Sequence, residues 1–385
     1  MNMQTFSFLA PPVVFGIKSA ENISEHINRM GAKHILVISD HGLKKTGLVA
    51  QLCAWIRKTD FSVETYTDIE PEPSTQSVRT CVEFARQSSC DLVVGMGGGS
   101  AMDTAKVVAA LLGNEGDVMD YLGLNKLPRK GVPTILLPTT AGTGSEIGRG
   151  ALFYVPERQT KEAVFSSHLL TDLALIDPVL ALSAPASVTA SSGLDALCHA
   201  IESYTGRAAN PLSIPFAELG IKWISKYLVP AVANCSYLDA REGMALGCLY
   251  ASIALANANT HAVHALAYPL QGRNRIVHGK ANGVLLPYVI KAISPAAQDK
   301  FADIAAWMGL DPGKVGAKEA GIAVADAITD LSEQIGIPGK MSALGVTESQ
   351  IDQFTQEASQ IRRLLDNCPM PLDSAQIKTI FHAAL

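Results

Sequence analysis

Up to about residue 180 the chain alternates short β-branched runs with helical segments. HILVISD (34–40), FSVETYTDI (61–69), DLVVGMGGG (91–99) and PTILLPTT (133–140) read as buried strands. Between them, residues 41–58 and 75–88 carry helical spacing. Strands and helices alternating at this interval bury their apolar faces as a parallel, doubly wound sheet. The stretch ALFYVPERQTKEAVFS (151–166) departs from the rhythm, and its two runs around a polar PERQT turn predict a hairpin. After DLALIDP (172–178) the strand signal mostly disappears. ASVTASSGLDALCHAIESYTG, DAREGMALGCLYASIALANAN and much of 296–335 have helical periodicity, with Asp239 and Glu242 spaced as a capping pair. The reading is an α/β domain over 1–182 and an all-α domain over 183–385, and a length of 385 residues suits two domains.

Composition narrows what such a chain can do. Hydrophobic residues make up 48% and charged residues 17%, as in ordinary globular proteins. The net charge of −5 comes with no long basic run, which disfavours nucleic acid or an anionic membrane as partner. No 18-residue uncharged apolar span of membrane type occurs, and MNMQTFSFLAPPVVFG lacks the order of a secretory leader. The seven cysteines are scattered and form no C-x-x-C, so neither a disulfide framework nor a thiolate zinc finger is expected. A reducing cytoplasm fits best.

Two loops point to a nucleotide. VVGMGGGSAMDTAK (93–106) runs from strand through a glycine-rich turn into a helix start. Such a turn lets backbone N–H groups approach a diphosphate, and the helix dipole favours the anion. Gly95-x-Gly97-x-x-Ser100 is not quite the usual dinucleotide fingerprint, and a turn needed only for packing reads the same way. LLPTTAGTGSE (136–146) leaves a second buried strand with three threonines, a serine and two glycines. Asp40 ends its strand where a carboxylate can accept from an adenosine ribose and repel a 2′-phosphate, favouring NAD; it reads equally as a helix N-cap.

The histidines point to a metal. Asp195 and His199 are four apart in SSGLDALCHAIES and share a helical face among apolar residues, where an unpaired carboxylate and imidazole are costly. HAVHALAYPLQGRNRIVHG (261–279) adds His261, His264 and His278. Asp195, His199, His264 and His278 would make a site of borderline hardness, suited to Fe²⁺, Zn²⁺, Co²⁺ or Ni²⁺. Singly, each histidine reads as a hydrogen-bonded core residue. His261 competes with His264 as ligand, with a second role in proton transfer or on a polar face. Cys198 lies about 100° around the helix from His199 and is not counted.

These segments resemble the iron-containing, or group III, alcohol dehydrogenases over essentially the whole chain. The resemblance rests on FGIKSAENI, GMGGGSAMDTAK, LPTTAGTGSE, LALIDPVL, SGLDALCHAIESY, HALAYPLQG and VHGKANGVLLP. It implies an N-terminal NAD(P)-binding domain, a C-terminal helical metal domain and a cleft between them, in a homodimer or larger assembly. It carries the metal ligands onto Asp195, His199, His264 and His278. It carries cofactor contacts onto Asp40, Gly97, Gly98, Gly99, Ser100, Thr139, Thr140, Thr143, Lys161 and Leu180, with Asp103 capping the glycine-loop helix or approaching the cofactor. The chain departs from the family at Tyr268, where a histidine is usual, and at Gln271, where glycine is usual. Thr260, His261, Leu255 and the CPM of 368–370 also differ.

The implied reaction is reversible hydride transfer between NAD(H) and a small alcohol or aldehyde, with Fe²⁺ (or Zn²⁺) as Lewis acid on the substrate oxygen. A tyrosine with an ordinary pKa of ~10 is a poor neutral-pH base. His261 is therefore the expected proton acceptor beside Tyr268, provided it faces the cleft, and His261→Ala should then slow turnover more than Tyr268→Phe. Competing readings are a glycerol-dehydrogenase-like or dehydroquinate-synthase-like enzyme, and a weakly catalytic NAD- and metal-binding protein.

Overall fold

The computed structural model of the chain describes residues 5–58, 60–311 and 316–385. The strands among them are β1 Val13–Phe15, β2 His34–Asp40, β3 Ser62–Ile69, β4 Leu92–Gly97, β5 Gly123–Leu124, β6 Thr134–Pro138, β7 Gly150–Val155, β8 Thr160–Phe165 and β9 Leu173–Ile176. Six of them form one sheet in the order β1-β9-β6-β4-β2-β3, with every pairing parallel. Alternate side chains serve opposite faces. Ile35, Val37, Leu92, Val94, Ile135 and Leu137 pack with Ile23, Ile27, Leu52 and Ile56. Leu36, Ile38, Val93 and Leu136 pack with Val78, Val82, Ala105 and Val108. Each such residue gains about 1.5–3 kcal/mol on leaving water, which is why these strands are apolar on both sides.

The expected doubly wound sheet is present, with three refinements. β1 was not foreseen: VVF is too short to show a period, and it becomes a strand by pairing with β9. The helical stretch 41–58 is two helices, His41–Thr46 and Leu48–Ile56, because Gly47 adopts φ 85° between them. β7 and β8 form the expected antiparallel hairpin, and β5 adds to β8 in parallel.

Among the described residues from Pro185 onward every regular element is helical. The compact units are Ala10–Ala184 and, together with the segment ending at Leu9, Pro185–Leu385. A division at 182/183 assigns that first segment to the sheet unit. Instead Leu9 N–H donates to Asn257 Oδ1 at 2.7 Å and its carbonyl accepts from Asn257 Nδ2 at 2.9 Å, holding it to the helices. Asp239 does not form the expected capping pair. The helix Leu238–Ala258 begins two residues earlier than such a cap requires, with Tyr237 at its N-cap, so Asp239 sits inside the first turn and acts there on the helix dipole. No described helix is long and apolar enough to cross a membrane.

Candidate cofactor and metal sites

In the sheet unit, β2 carries β3 on one side and β4 on the other, so the chain reverses its direction of winding between β2 and β4. Open parallel sheets bind ligands outside the carboxyl ends of strands at such a point. Asp40 closes β2, Gly97 closes β4 and Pro138 closes the neighbouring β6. Thr139 N–H donates to Gly97 O at 2.9 Å, which draws the threonine loop against the glycine turn. A Cβ on Gly97, with φ 154°, would lie 3.5 Å from Asp40 Oδ2; one on Gly98 would lie 3.6 Å from Thr140 Oγ1, and one on Gly99 2.9 Å from Thr143 Cγ2. Gly98 is the N-cap of the helix Gly99–Gly113 and supplies no side-chain cap, leaving the first-turn N–H groups for an anion. Asp40 does cap a helix: Leu43 N–H donates to its Oδ1 at 3.0 Å.

Three further candidate contacts are also engaged by neighbours within the protein. Asp103 does not cap the glycine-loop helix, whose N-cap is Gly98: its Oδ1 accepts from Ser145 Oγ at 2.6 Å and pairs with Lys106 at 3.0 Å, while Oδ2 accepts from Leu152 N–H at 2.9 Å. Lys106 is buried and also donates to Ser145 O at 3.0 Å and to Gly150 O. The DTAK tetrad thus braces the threonine loop onto the glycine-loop helix. Leu180 packs its side chain in the core, its N–H donates to Asp177 O, and its carbonyl accepts from Ser183 Oγ. Lys161 is paired with Glu72, whose own N–H donates to Ser100 Oγ at 3.2 Å. Glu72 was not foreseen, since nothing in the polar run after β3 marks it.

Glu146 lies in this brace, 3% exposed, and burial pushes its carboxyl up to about 7 against the pull of Lys106. The folded protein then holds a proton that the unfolded chain releases near pH 4.5. Stability from this group is full below that pH and is lost as pH rises to about 7, by at most ~3 kcal/mol. Glu146→Gln is expected to raise the melting temperature at pH 8 and to leave it unchanged at pH 4; equal shifts at both would rule out a protonated Glu146.

In the helical unit, Asp195 and His199 project from one face of the helix Ala186–Thr205. His264 comes from Ala262–Asn274, and His278 opens His278–Ile293. One ligand atom from each of the four lies within 4.8 Å of the others. Asp195 Oδ1 is 3.6 Å from His199 Nε2, 3.7 Å from His264 Nε2 and 3.4 Å from His278 Nε2. These separations exceed hydrogen-bond length. They match the edges of a tetrahedron around an ion with bonds of about 2.0–2.2 Å, which are about 3.3–3.6 Å. Asn282 Nδ2 lies among them, donating to Asp195 Oδ1 at 2.7 Å and standing 3.1 Å from His264 Nε2 and 3.2 Å from His278 Nε2. The donor set fits a divalent cation. Burial alone would raise the Asp195 carboxyl, but the three imidazoles and Asn282 outweigh it and hold it below the usual range.

A second carboxylate lies behind the first. Glu202, fully buried, sits at 2.5 Å from His264 Nδ1 and accepts Val263 N–H at 2.7 Å. Burial opposes its charge, yet His261, His264 and Val263 N–H hold it down at about 2. A carboxylate on Nδ1 fixes the tautomer that leaves Nε2 free to ligate. Glu202 follows Asp195 and His199 at i, i+4, i+7, a stripe visible in the sequence but not assigned there. Cys198 Sγ is 3.8 Å from the same Nδ1; burial raises its thiol well above the usual range, so it stays protonated.

His261 does not take the expected place. It is the N-cap of Ala262–Asn274, 1% exposed, with Nδ1 accepting Ala262 N–H at 2.7 Å and Nε2 at 2.8 Å from Thr205 Oγ1. Burial lowers its pKa although Glu202 is 3.1 Å away. Both nitrogens are thus engaged with groups of the protein's own interior. Tyr268 is half-buried, and burial raises its phenol despite a hydrogen bond with Arg363.

Residues 10–178 match the iron-containing alcohol dehydrogenase family, and residues 189–385 match the C-terminal region of the Fe-containing alcohol dehydrogenase family. The chain belongs to the iron-containing alcohol dehydrogenases. It is 41% identical to Long-chain-alcohol dehydrogenase 1 of Geobacillus thermodenitrificans (strain NG80-2), over 99% of this chain and 97% of that one. The crystal structure of a 1,3-propanediol oxidoreductase superposes with a TM-score of 0.96 at 35% identity, covering 99% of this chain and 100% of the other. Sulfoacetaldehyde reductase from Bifidobacterium kashiwanohense, solved in complex with NAD⁺, gives 0.89 at 30% identity, covering 99% of each. As an iron-containing alcohol dehydrogenase the chain is a metal-dependent oxidoreductase of alcohols and aldehydes.

Proposed function

We propose that the chain catalyses reversible hydride transfer between NAD(H) and an alcohol or its aldehyde, with Fe²⁺, or Zn²⁺ in its place, held by Asp195, His199, His264 and His278. The observation that carries this reading is the convergence of three imidazole nitrogens at 3.4–3.7 Å from one carboxylate oxygen in a buried site, all four atoms within 4.8 Å of one another. A bound divalent ion supplies Lewis acidity at the substrate oxygen. One carboxylate among three neutral imidazoles leaves net positive charge at the centre, which favours an oxygen that gains negative charge. Glu202 on Nδ1 holds the His264 ring with Nε2 aimed inward.

Asp40, Gly97, Gly98, Gly99, Ser100, Thr139, Thr140 and Thr143 are the proposed NAD contacts. Asp40 Oδ2 beside Gly97 suits a ribose diol and repels a 2′-phosphate, so NAD is proposed over NADP. A cytoplasmic homodimer or larger assembly belongs to the same proposal on the resemblance. The test is nicotinamide reduction with a panel of primary alcohols and diols, after chelation and after restoring Fe²⁺ or Zn²⁺. Turnover that survives complete metal removal would overturn the proposal.

Proton transfer is not given to His261. His261→Ala is expected to cost about 0.5–2 kcal/mol through its lost N-cap, read as a fall in melting temperature, with the shape of the pH–rate profile unchanged. Tyr268→Phe is likewise expected to leave the profile unmoved near neutrality, because a raised phenol is protonated there. A neutral-pH limb that disappears in either variant would assign the proton to that residue.

A further inference from the structure

We infer that Gln271 is a positioning residue for His278, fixing which ring nitrogen faces the metal and how tightly the ion is held. The inference rests on the four-residue metal site proposed above. His278 is the loosest of the four ligands: its side chain is 19% exposed, against 5% for His199, 5% for His264 and 2% for Asp195. It opens its helix directly after a turn in which Arg275 adopts φ 55°. Packing alone therefore restrains it least.

Gln271 supplies the missing restraint. It lies on Ala262–Asn274, is 2% exposed, and places Oε1 2.9 Å from His278 Nδ1. Its Nε2 is buried without a hydrogen-bond partner among the described residues. Leaving one end of a buried amide unsatisfied is costly, and the end that is engaged is the oxygen that meets His278. The orientation is fixed by its neighbours. His278 turns Nε2 toward Asp195 Oδ1, 3.4 Å away, so as a metal ligand Nε2 bears the lone pair and Nδ1 bears the hydrogen. Only an oxygen can meet that hydrogen. Gln271 thus does for His278 what Glu202 does for His264, with a neutral acceptor in place of a charged one, and it ties the end of one ligand helix to the start of the next.

The test uses Co²⁺ as a spectroscopic probe. The full chain is stripped with a chelator and titrated against a competing indicator, as wild type, Gln271→Leu and Gln271→Glu. Leucine removes the acceptor at similar volume; glutamate keeps an acceptor oxygen. Gln271→Leu is expected to weaken Co²⁺ binding about 10–100-fold and to alter its visible absorption, while the stripped protein melts no lower than wild type. Gln271→Glu is expected to return the affinity to wild type or better. Wild-type affinity and spectrum in Gln271→Leu would overturn the inference. So would a loss that Gln271→Glu does not restore, accompanied by an equal drop in melting of the stripped protein. A wild-type chain that takes up no Co²⁺ overturns the metal site itself, and the inference with it.

Discussion

Asp195→Ala is expected to leave the chain without bound metal and to lower kcat/KM by about 10³-fold or more. Asp195 is the one anionic member of the four ligands, and its Oδ1 is the atom about which the three Nε2 atoms are spaced. Removing it leaves three neutral imidazoles in a buried site with nothing to offset the charge of a divalent ion. Lewis-acid stabilisation amounts to several kcal/mol, and each 1.36 kcal/mol is about tenfold in rate. Metal per chain by elemental analysis, beside kcat/KM with Fe²⁺ present, decides the matter. Asp195→Asn separates shape from charge: it keeps an oxygen in place and should still bind metal poorly. Either variant with full metal content and turnover would falsify the proposed site.

Gly279→Ala is expected to lower kcat/KM by about 10²-fold with a clear fall in melting temperature, although Gly279 offers no ligand. A Cβ there would lie 2.1 Å from Ser191 O and 2.7 Å from Ser191 C, with Asp195 Cβ at 3.4 Å. These first two are main-chain atoms of Ala186–Thr205 and cannot rotate away. The helix that begins at His278 must move off the helix that carries Asp195 and His199, by on the order of an ångström, and a displacement of that size costs about 10²-fold. Overpacking of this kind also costs about 1–3 kcal/mol. Gly283→Ala is the control. Its Cβ would meet Leu194 Cδ1 at 2.9 Å, the end of a flexible side chain, so both effects should be much smaller. Equal behaviour of the two variants would show that helix spacing at Gly279 does not set the ligand geometry.

Several parts of the site were legible early because they depend on local spacing. Asp195 and His199 share a face wherever their helix packs, and the glycine and threonine loops must follow their strands. The choice between His264 and His261 could not be made this way. Both lie at the start of one helix, three residues apart, and only the direction from which Ala186–Thr205 approaches turns His264 toward Asp195 and His261 toward Thr205. Asp103 looked like a helix cap or a cofactor group because it follows a phosphate-type turn. In the fold its charge pairs with Lys106 and both groups hold the loop 145–152.

The alternation of strand and helix before residue 180, the helical character after it, and the pairing of Asp195 with His199 on one helical face are written in the chain itself, because run length and spacing are local properties. Tertiary structure alone decided which ring nitrogen each histidine presents. That choice depends on what meets the opposite nitrogen: Glu202 for His264 across 62 residues of sequence, and Gln271 for His278 across the turn between two helices.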